Sequence, residues 1–434
     1  MNIKDKIEKV FQNEQKTAIQ YCSRLAQNMG IQIYLVGGVV RDLILNKKSY
    51  DIDILVEDSA IIFCELLAKN HPNEIEILAQ NDKFQTAKVR FIFHNQPIEI
   101  DFASTRSEIY EYPSALPSLV ETGVSLKKDM ERRDFTINAI AASLNKTNFG
   151  EVIDYFGGTE DINNGIIRIL HNNSFVDDPT RILRALKFRV RFDFNLEEKT
   201  KALQKQCLDA KQFDNLCSER IKKELKSGLN LLKSEYFDKL ISENIYRLII
   251  SDISKINIPT GKIICEIINS NLNHINKENI WVIFLSILFY FAPTEPVIEN
   301  IEKLALTSAE QRILMDFFKL KSNNKKFNEA KTPYDIYTLL KNFTPESIIA
   351  NQCLQTNIDN SDKIFLYLNE LKDAKLKING HYIKEYPEIE KIHYKDILEE
   401  VMKARLNKKI SDTEEKSYLK KICKRYLKTE KGAV

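Results

Sequence analysis

The chain has 434 residues, 43% of them hydrophobic and 29% charged, with 12 glycines, 11 prolines and a formal net charge of +3. At about 150 residues per domain there is room for roughly three packing units with sizeable cores, and this balance excludes disordered, fibrous and small disulfide-stapled classes. With 64 basic residues against 61 acidic ones, average charge does not announce a nucleic-acid partner, so local distribution matters more.

Residues 1–29 predict one amphipathic helix with Ile7, Val10, Phe11, Ile19 and Leu25 on its buried stripe. The first 16 residues are densely charged and contain no apolar run, so no secretory signal is expected and the expected compartment is cytoplasmic. Residues 31–36 are β-branched and aromatic and run into Gly37-Gly38, which is followed by a helical pattern over 39–45. Further strands are expected at 50–56, 74–78, 86–93 and 98–103, with a helix at 59–69, giving a small mixed α/β sheet. Between Asp101 and Arg132 the chain carries Tyr110, Tyr112, Pro113 and Pro117 and predicts a long mobile loop.

From residue 177 onward helical periodicity dominates, broken at 269–274 and 321–326. The longest apolar run, 280–292, is interrupted by Ser286 and falls short of the ~20 residues a bilayer span needs, so a buried helix is expected and no membrane partner. Seven cysteines without a C-x-x-C pair indicate neither a disulfide framework nor a thiolate zinc site. The six histidines show no ligand spacing either. Over 401–434 there are eleven Lys or Arg against four Asp or Glu, an excess that suits phosphate contact or a solvated helix face equally well.

The chemistry concentrates in Gly37-Gly38-Val39-Val40-Arg41-Asp42, followed by Asp51-Ile52-Asp53. Residues two apart on a strand share a face, so Asp51 and Asp53 project together while Ile52 and Ile54 face the other way. Paired carboxylates hold Mg²⁺, a hard cation that shares its remaining positions with substrate phosphates and water, as phosphoryl or nucleotidyl transfer requires. The glycines admit backbone N–H groups to a triphosphate, and Arg41 carries a neutralising charge. Asp101 completes a carboxylate cluster if its strand lies beside the first, and is an edge-strand Asp otherwise. Further along, Pro179 suits a first helical turn with Asp177 or Asp178 near the cap, and Arg181, Arg184 and Lys187 follow at intervals of three.

These residues, in this order, resemble the head of the class II tRNA nucleotidyltransferase and bacterial poly(A) polymerase family, within the polymerase-β-like superfamily. Arg132-Arg133-Asp134-Phe135-Thr136-Ile137-Asn138-Ala139 is similar to that family's second motif, and the stretch from Asp154 through Gly157-Gly158 to Ile162 to its third. The fourth is Asp177-Asp178-Pro179-Thr180-Arg181-Ile182-Leu183-Arg184, and the fifth resembles Ser218-Glu219-Arg220-Ile221-Lys222-Lys223-Glu224-Leu225. Two positions depart from the pattern: Asp177 stands where Glu is usual, and Lys187 where Arg is common.

The resemblance implies an α+β fold, with a nucleotidyltransferase head (1–158) followed by an elongated all-helical neck (159–250), body (251–375) and tail (376–434). It implies an enzyme that extends the tRNA 3′ end from CTP and ATP with Mg²⁺ on Asp51 and Asp53, and Asp101 as a third catalytic carboxylate. Gly37, Gly38, Arg41 and Asp42 would serve the phosphates, and Arg132, Arg133, Asp134 and Asn138 the ribose and phosphates. Asp178 and Arg181 would read the base edge, with Arg184 and Lys187 nearer the phosphates or the helix surface. Cytosine and adenine each show an amine donor beside a ring-nitrogen acceptor, so a fixed Asp and a fixed Arg match both, whereas guanine and uracil reverse the pattern. The competing readings are an A-only member of a split pair, a poly(A) polymerase, and an inactive RNA-binding relative.

Overall fold

The computed structural model describes residues 1–48, 51–93, 96–211, 213, 216–293, 304–355 and 358–430. Tyr50, the expected start of the second strand, and His94 lie outside the described residues. The backbone divides into two compact units, Met1–Leu231 with Lys239–Ser251, and Leu232–Asp238 with Asp252–Val434.

The first unit opens with two helices, α1 (Lys4–Val10) and α2 (Asn13–Met29), instead of the single helix expected. Phe11 adopts an extended conformation with its ring only 3% exposed, and the Gln15 side chain accepts from Gln12 N at 2.9 Å to start the second helix. Burying that ring is incompatible with a continuous rod. There follow β1 (Ile33–Val36), α3 (Gly38–Ile44), β2 (Asp53–Val56) and α4 (Ala60–Asn70), the last capped by Ser59 Oγ accepting from Ile62 N. Next come β3 (Ile75–Asn81), β4 (Thr86–Phe93) and β5 (Gln96–Ser104).

The stretch expected as a loop instead holds the antiparallel pair β6 (Arg106–Ile109) and β7 (Ser118–Thr122), then α5 (Leu126–Glu131). Its inward positions include Arg106 and Glu108, joined by a 2.7 Å ion pair, so the apolar alternation that announces a strand is absent. After it come β8 (Ile140–Ser143) and β9 (Val152–Asp154).

Seven strands form one mixed sheet in the order β3-β4-β5-β2-β1-β8-β9. Only β2 and β5 run parallel, and their register sets Asp53 opposite Asp101. Ile52 and Ile54 are 2% and 1% exposed on the core side, which leaves the intervening Asp53 on the other face.

Helices then take over: α6 (Gly158–Asn164), α7 (Ser174–Asp177), α8 (Thr180–Phe192), α9 (Glu198–Ala210) and α10 (Ser218–Leu229). The third motif has a structural explanation. Asp154 caps α6 by accepting from Gly158 N at 2.9 Å and Thr159 N at 2.8 Å, and a Cβ on Gly158 would lie 2.1 Å from the Thr136 carbonyl oxygen. Helix α8 buries Ile182, Leu183, Leu186 and Phe188, and the Phe135 ring meets Phe188 edge-on at 5.9 Å. The same helix is tied to the sheet domain by Arg184, whose Nε and Nη2 donate to Asp134 Oδ2 at 2.8 and 2.6 Å.

In the second unit the apolar run forms the helix Ile280–Tyr290, buried through Phe289, and Ser286 satisfies its hydroxyl by donating to the Val282 carbonyl at 2.8 Å. Its C-terminal helices Tyr394–Leu406 and Glu415–Glu430 share a cluster of Ile397, Val401, Leu419 and Ile422 with Ile383 and Ile389. No described helix is long and apolar enough to cross a membrane.

Two stability predictions follow from the first unit. Burial opposes ionisation of Asp134, yet Arg184 and Asn138 outweigh it and hold the carboxyl at a pKa of about 2. Its stabilising contribution is therefore complete above the unfolded value near 4 and is lost as pH falls through about 2. Asp134→Asn should cost about 2–3 kcal/mol at pH 7 in urea unfolding, with the gap to the parent roughly halved at pH 3; a gap independent of pH contradicts this. Gly158→Ala should cost about 1–3 kcal/mol through overpacking, a fall in melting temperature of about 3 °C or more by calorimetry, because backbone rather than a movable side chain blocks the new methyl.

Candidate active site

The parallel pairing of β2 with β5 gathers the expected carboxylates. Asp53 opens β2, Asp101 N donates to the Ile52 carbonyl at 3.0 Å, and Asp51 is exposed just before the strand. Burial pushes the Asp53 carboxyl up, the neighbouring Asp101 and Asp51 charges add to this, and Arg133 pulls against it. Asp101 is half exposed and lies 3.4 Å from Lys88 Nζ. A cavity of about 520 Å³ opens beside this cluster, inside the range of about 300–1,000 Å³ usual for small-molecule sites. Asp53 lines it together with Gly37 and Gly38. Gly37 has φ +72°, a left-handed conformation that favours glycine, and a Cβ there would sit 3.5 Å from Arg133 Nη1 and 4.0 Å from Asp53 Oδ2.

The second motif forms one wall. Arg132, Arg133, Asp134 and Asn138 all line the cavity. Asp134 is buried, and its Oδ1 accepts from Asn138 Nδ2 at 2.9 Å and Phe135 N at 2.8 Å, while Oδ2 takes the Arg184 fork.

The fourth motif adds to the lining, where Asp178 and Arg181 are 6% and 4% exposed. Asp178 Oδ1 accepts from Thr180 N at 3.1 Å and Thr180 Oγ1 at 2.5 Å, and Oδ2 accepts from Arg220 Nη2. Arg181 Nη1 donates to Ser174 Oγ at 2.6 Å, and Nη2 to the Arg132 carbonyl at 2.9 Å and Tyr110 OH at 3.4 Å. Both side chains are thus fixed in orientation. Each Asp178 oxygen has two lone pairs, so capacity for a ligand donor remains. Asp177 does not brace this pair: its carboxylate lies 3.8 Å from His171 Nδ1.

Three expected phosphate contacts are placed elsewhere. Arg41 is 3% exposed and does not line the cavity; its guanidinium donates to Asp42 Oδ1 at 3.0 Å and to Asn138 Oδ1, and lies 5.0 and 4.7 Å from the Phe188 and Phe192 ring centroids. Asp42 is 4% exposed and spends its second oxygen on Arg191 at 3.3 Å. Lys187 is drawn to Glu224 at 2.7 Å, neither lining the cavity nor projecting from the surface. The cause is shared: each is a charge on an apolar face, and desolvation is tolerated only beside an opposite charge.

Sequence reasoning assigned no role to Arg220, Glu224, Glu108 or Tyr110, all of which line the cavity. Glu224 accepts from Arg184 Nη1 at 2.9 Å as well as from Lys187. One signal was available: Glu224 interrupts the Ile221, Leu225, Gly228 stripe of α10, where a carboxylate needs a buried cation.

Among the described residues no group of three or more Asp, Glu, His or Cys side chains converges to hold a metal ion unaided. The oxygen-only donors at Asp53 and their mutual repulsion suit Mg²⁺, which takes one or two carboxylates and completes its shell with phosphate and water.

Comparison with known proteins agrees with this layout. Residues 33–168 match the model of the poly A polymerase head domain. The A-adding tRNA nucleotidyltransferase of Geobacter sulfurreducens is 30% identical over 88% of this chain, which spans 44% of that relative's length. Among solved structures, a CCA-adding enzyme in an apo form superposes with a TM-score of 0.81 at 27% identity, covering 97% of this chain and 98% of that one. The Thermotoga maritima CCA-adding enzyme complexed with tRNA gives 0.77 at 27% identity, over 98% and 99%. Residues 33–168 are thus similar to the poly A polymerase head domain, and the motifs assembled on that fold make the chain similar to the A-adding and CCA-adding tRNA nucleotidyltransferases.

Proposed function

We propose that the chain is a template-independent tRNA nucleotidyltransferase that adds C and A to the tRNA 3′ end from CTP and ATP, releasing pyrophosphate. The observation that carries this reading is one cavity lined both by Asp53 with the Gly37-Gly38 turn and by the fixed pair Asp178 and Arg181.

Asp51 and Asp53, with Asp101 beside them, would hold Mg²⁺. When bound, the metal supplies charge neutralisation on the triphosphate and acidifies the attacking 3′-hydroxyl. The chain's own residues do the rest. Gly37 leaves room for phosphates where any side chain would intrude, and Arg133 sets a cation beside them. Asn138, steadied by Asp134, faces the ribose. Asp178 accepts from the exocyclic amine shared by cytosine and adenine, and Arg181 donates to the adjacent ring nitrogen. Guanine or uracil would set a carbonyl against Asp178 and leave buried polar groups unpaired, a loss of about 1–3 kcal/mol for each such group. The ion pair to Arg220 and the bonds from Thr180 keep Asp178 from swinging to accommodate them. The helical remainder would bind tRNA through backbone shape.

A second reading, addition of A alone, is favoured by the name of the Geobacter relative. Offering tRNA transcripts that end before CCA, after C and after CC, with labelled CTP and ATP separately and together, separates the two. Three additions followed by a stop are expected. Growth only from the CC end with ATP moves the assignment to A-only, unlimited tails move it to a poly(A) polymerase, and no incorporation with Mg²⁺ rejects enzymatic function.

Asp53→Ala is expected to lower incorporation by about a thousandfold, equivalent to ~4 kcal/mol of lost transition-state stabilisation. Binding of tRNA, measured by filter retention, should change less than about threefold, because one carboxylate at the cavity contributes little to a phosphate-dominated interface. Retained turnover would reject the metal-holding assignment.

A further inference from the structure

Arg132 and Arg133 are adjacent in sequence and stand at the same cavity, yet their guanidinium groups are engaged very differently. Both lean on Asp129 of α5, whose side chain is fully buried. Asp129 Oδ1 accepts from Arg132 Nε at 3.0 Å, Arg132 Nη2 at 2.7 Å and the Arg106 backbone N at 3.1 Å. Its Oδ2 accepts from Arg133 Nε at 3.3 Å and Nη2 at 3.0 Å. One carboxylate therefore grips two forks, each along the Nε–Nη2 edge, which leaves both Nη1 groups to point away from it.

Those two remaining edges face different surroundings. Arg132 Nη1 donates to Glu108 Oε1 at 3.2 Å, and its Nε also reaches the Arg106 carbonyl at 3.2 Å. Every nitrogen of Arg132 is thus spent on protein, and its own carbonyl accepts from Arg181. Arg133 Nη1 instead faces the Gly37 turn, 3.5 Å from where a Cβ would stand, close to Asp53.

We infer that Asp129 is a positioning residue that divides the labour of the two arginines. It aims Arg133 Nη1 at the triphosphate beside Asp53, and it makes Arg132 a strut that holds β6 and the carbonyl on which Arg181 rests. This inference rests on reading the cavity as the nucleotide site. Arg132, expected to contact nucleotide, is reassigned to supporting the base-reading arginine. Asp129 acts through Arg133 because a guanidinium released from its fork samples many rotamers, and the entropy of fixing it then falls on each binding event.

The test is equilibrium binding of ATP and of CTP to the full chain by calorimetry with Mg²⁺ present and no tRNA. Arg133→Met and Asp129→Asn should each weaken binding of both nucleotides about ten- to a hundredfold, the loss expected for a charge-assisted hydrogen bond. The double variant should be no weaker than about twofold below the worse single one, since both changes remove the same contact. Additive losses, or an Arg133→Met variant that binds normally, overturn the inference. Arg132→Met should lower the melting temperature more than Arg133→Met does, and the reverse order also overturns it. If Asp129→Asn does not fold, Arg133→Lys decides: lysine cannot be held by a fork, so binding about tenfold weaker is expected, and parental affinity contradicts the inference. Turnover on tRNA is scored separately. A chain that binds nucleotides as described but transfers none loses the proposed reaction and keeps this inference, whereas a parent chain that binds no triphosphate loses both.

Discussion

A cavity lined by ionised groups persists in a folded protein only if each buried charge meets an opposite one, because desolvating an unpaired ion costs several kcal/mol. Here four buried carboxylates meet that constraint. Asp129 holds Arg132 and Arg133, Asp134 holds Arg184, Asp178 holds Arg220, and Glu224 holds Arg184 and Lys187. The pairs also join elements distant in sequence: Asp134 follows α5, Arg184 lies on α8 and Glu224 on α10. The same ion pairs that make the cavity tolerable therefore fix the sheet domain to the helices around Asp178 and Arg181, and the geometry of that pair is a by-product of charge satisfaction.

At the Asp53 end of the cavity the pattern is the reverse. Asp53, Asp51 and Asp101 crowd together, and burial with mutual repulsion raises the Asp53 carboxyl despite Arg133. Lys88 offsets part of this at Asp101, from an exposed position where an ion pair is worth little. Such an acidic surplus beside a roomy cavity has the chemistry that the proposed Mg²⁺ site requires.

Much of this was legible in the linear sequence, and the parts that were not share a physical cause. The strand pattern before Gly37-Gly38, the alternation at Asp51 and Asp53, and the Pro179 helix start are local signals, and the mixed sheet with a helical remainder follows from them. The partners of Asp134 and Asp178 lie 50 and 42 residues away, which no local period reveals. Arg41 looked like a phosphate ligand because it follows the Gly37-Gly38 turn; only the packing of Phe188 and Phe192 against it shows that it is buried scaffolding. The β6–β7 pair was missed because charged residues hold its inward positions, and the break at Phe11 because a buried ring ends a helix there without proline or glycine. At the C-terminus, Arg405 and Arg425 pair with Glu415 and Glu400, so part of the basic excess over 401–434 is spent inside the fold.

In the proposed function a single cavity holds a nucleoside triphosphate with its phosphates at Asp53 and its base between Asp178 and Arg181. A crystal structure of the chain soaked with CTP and Mg²⁺ tests it most directly. The cytosine amine should lie within hydrogen-bond distance of the Asp178 carboxylate, with the ring nitrogen facing Arg181 and the triphosphate beside Asp53 and Arg133. Density that puts the base outside this cavity, or the phosphates at the Asp178 end, would contradict it.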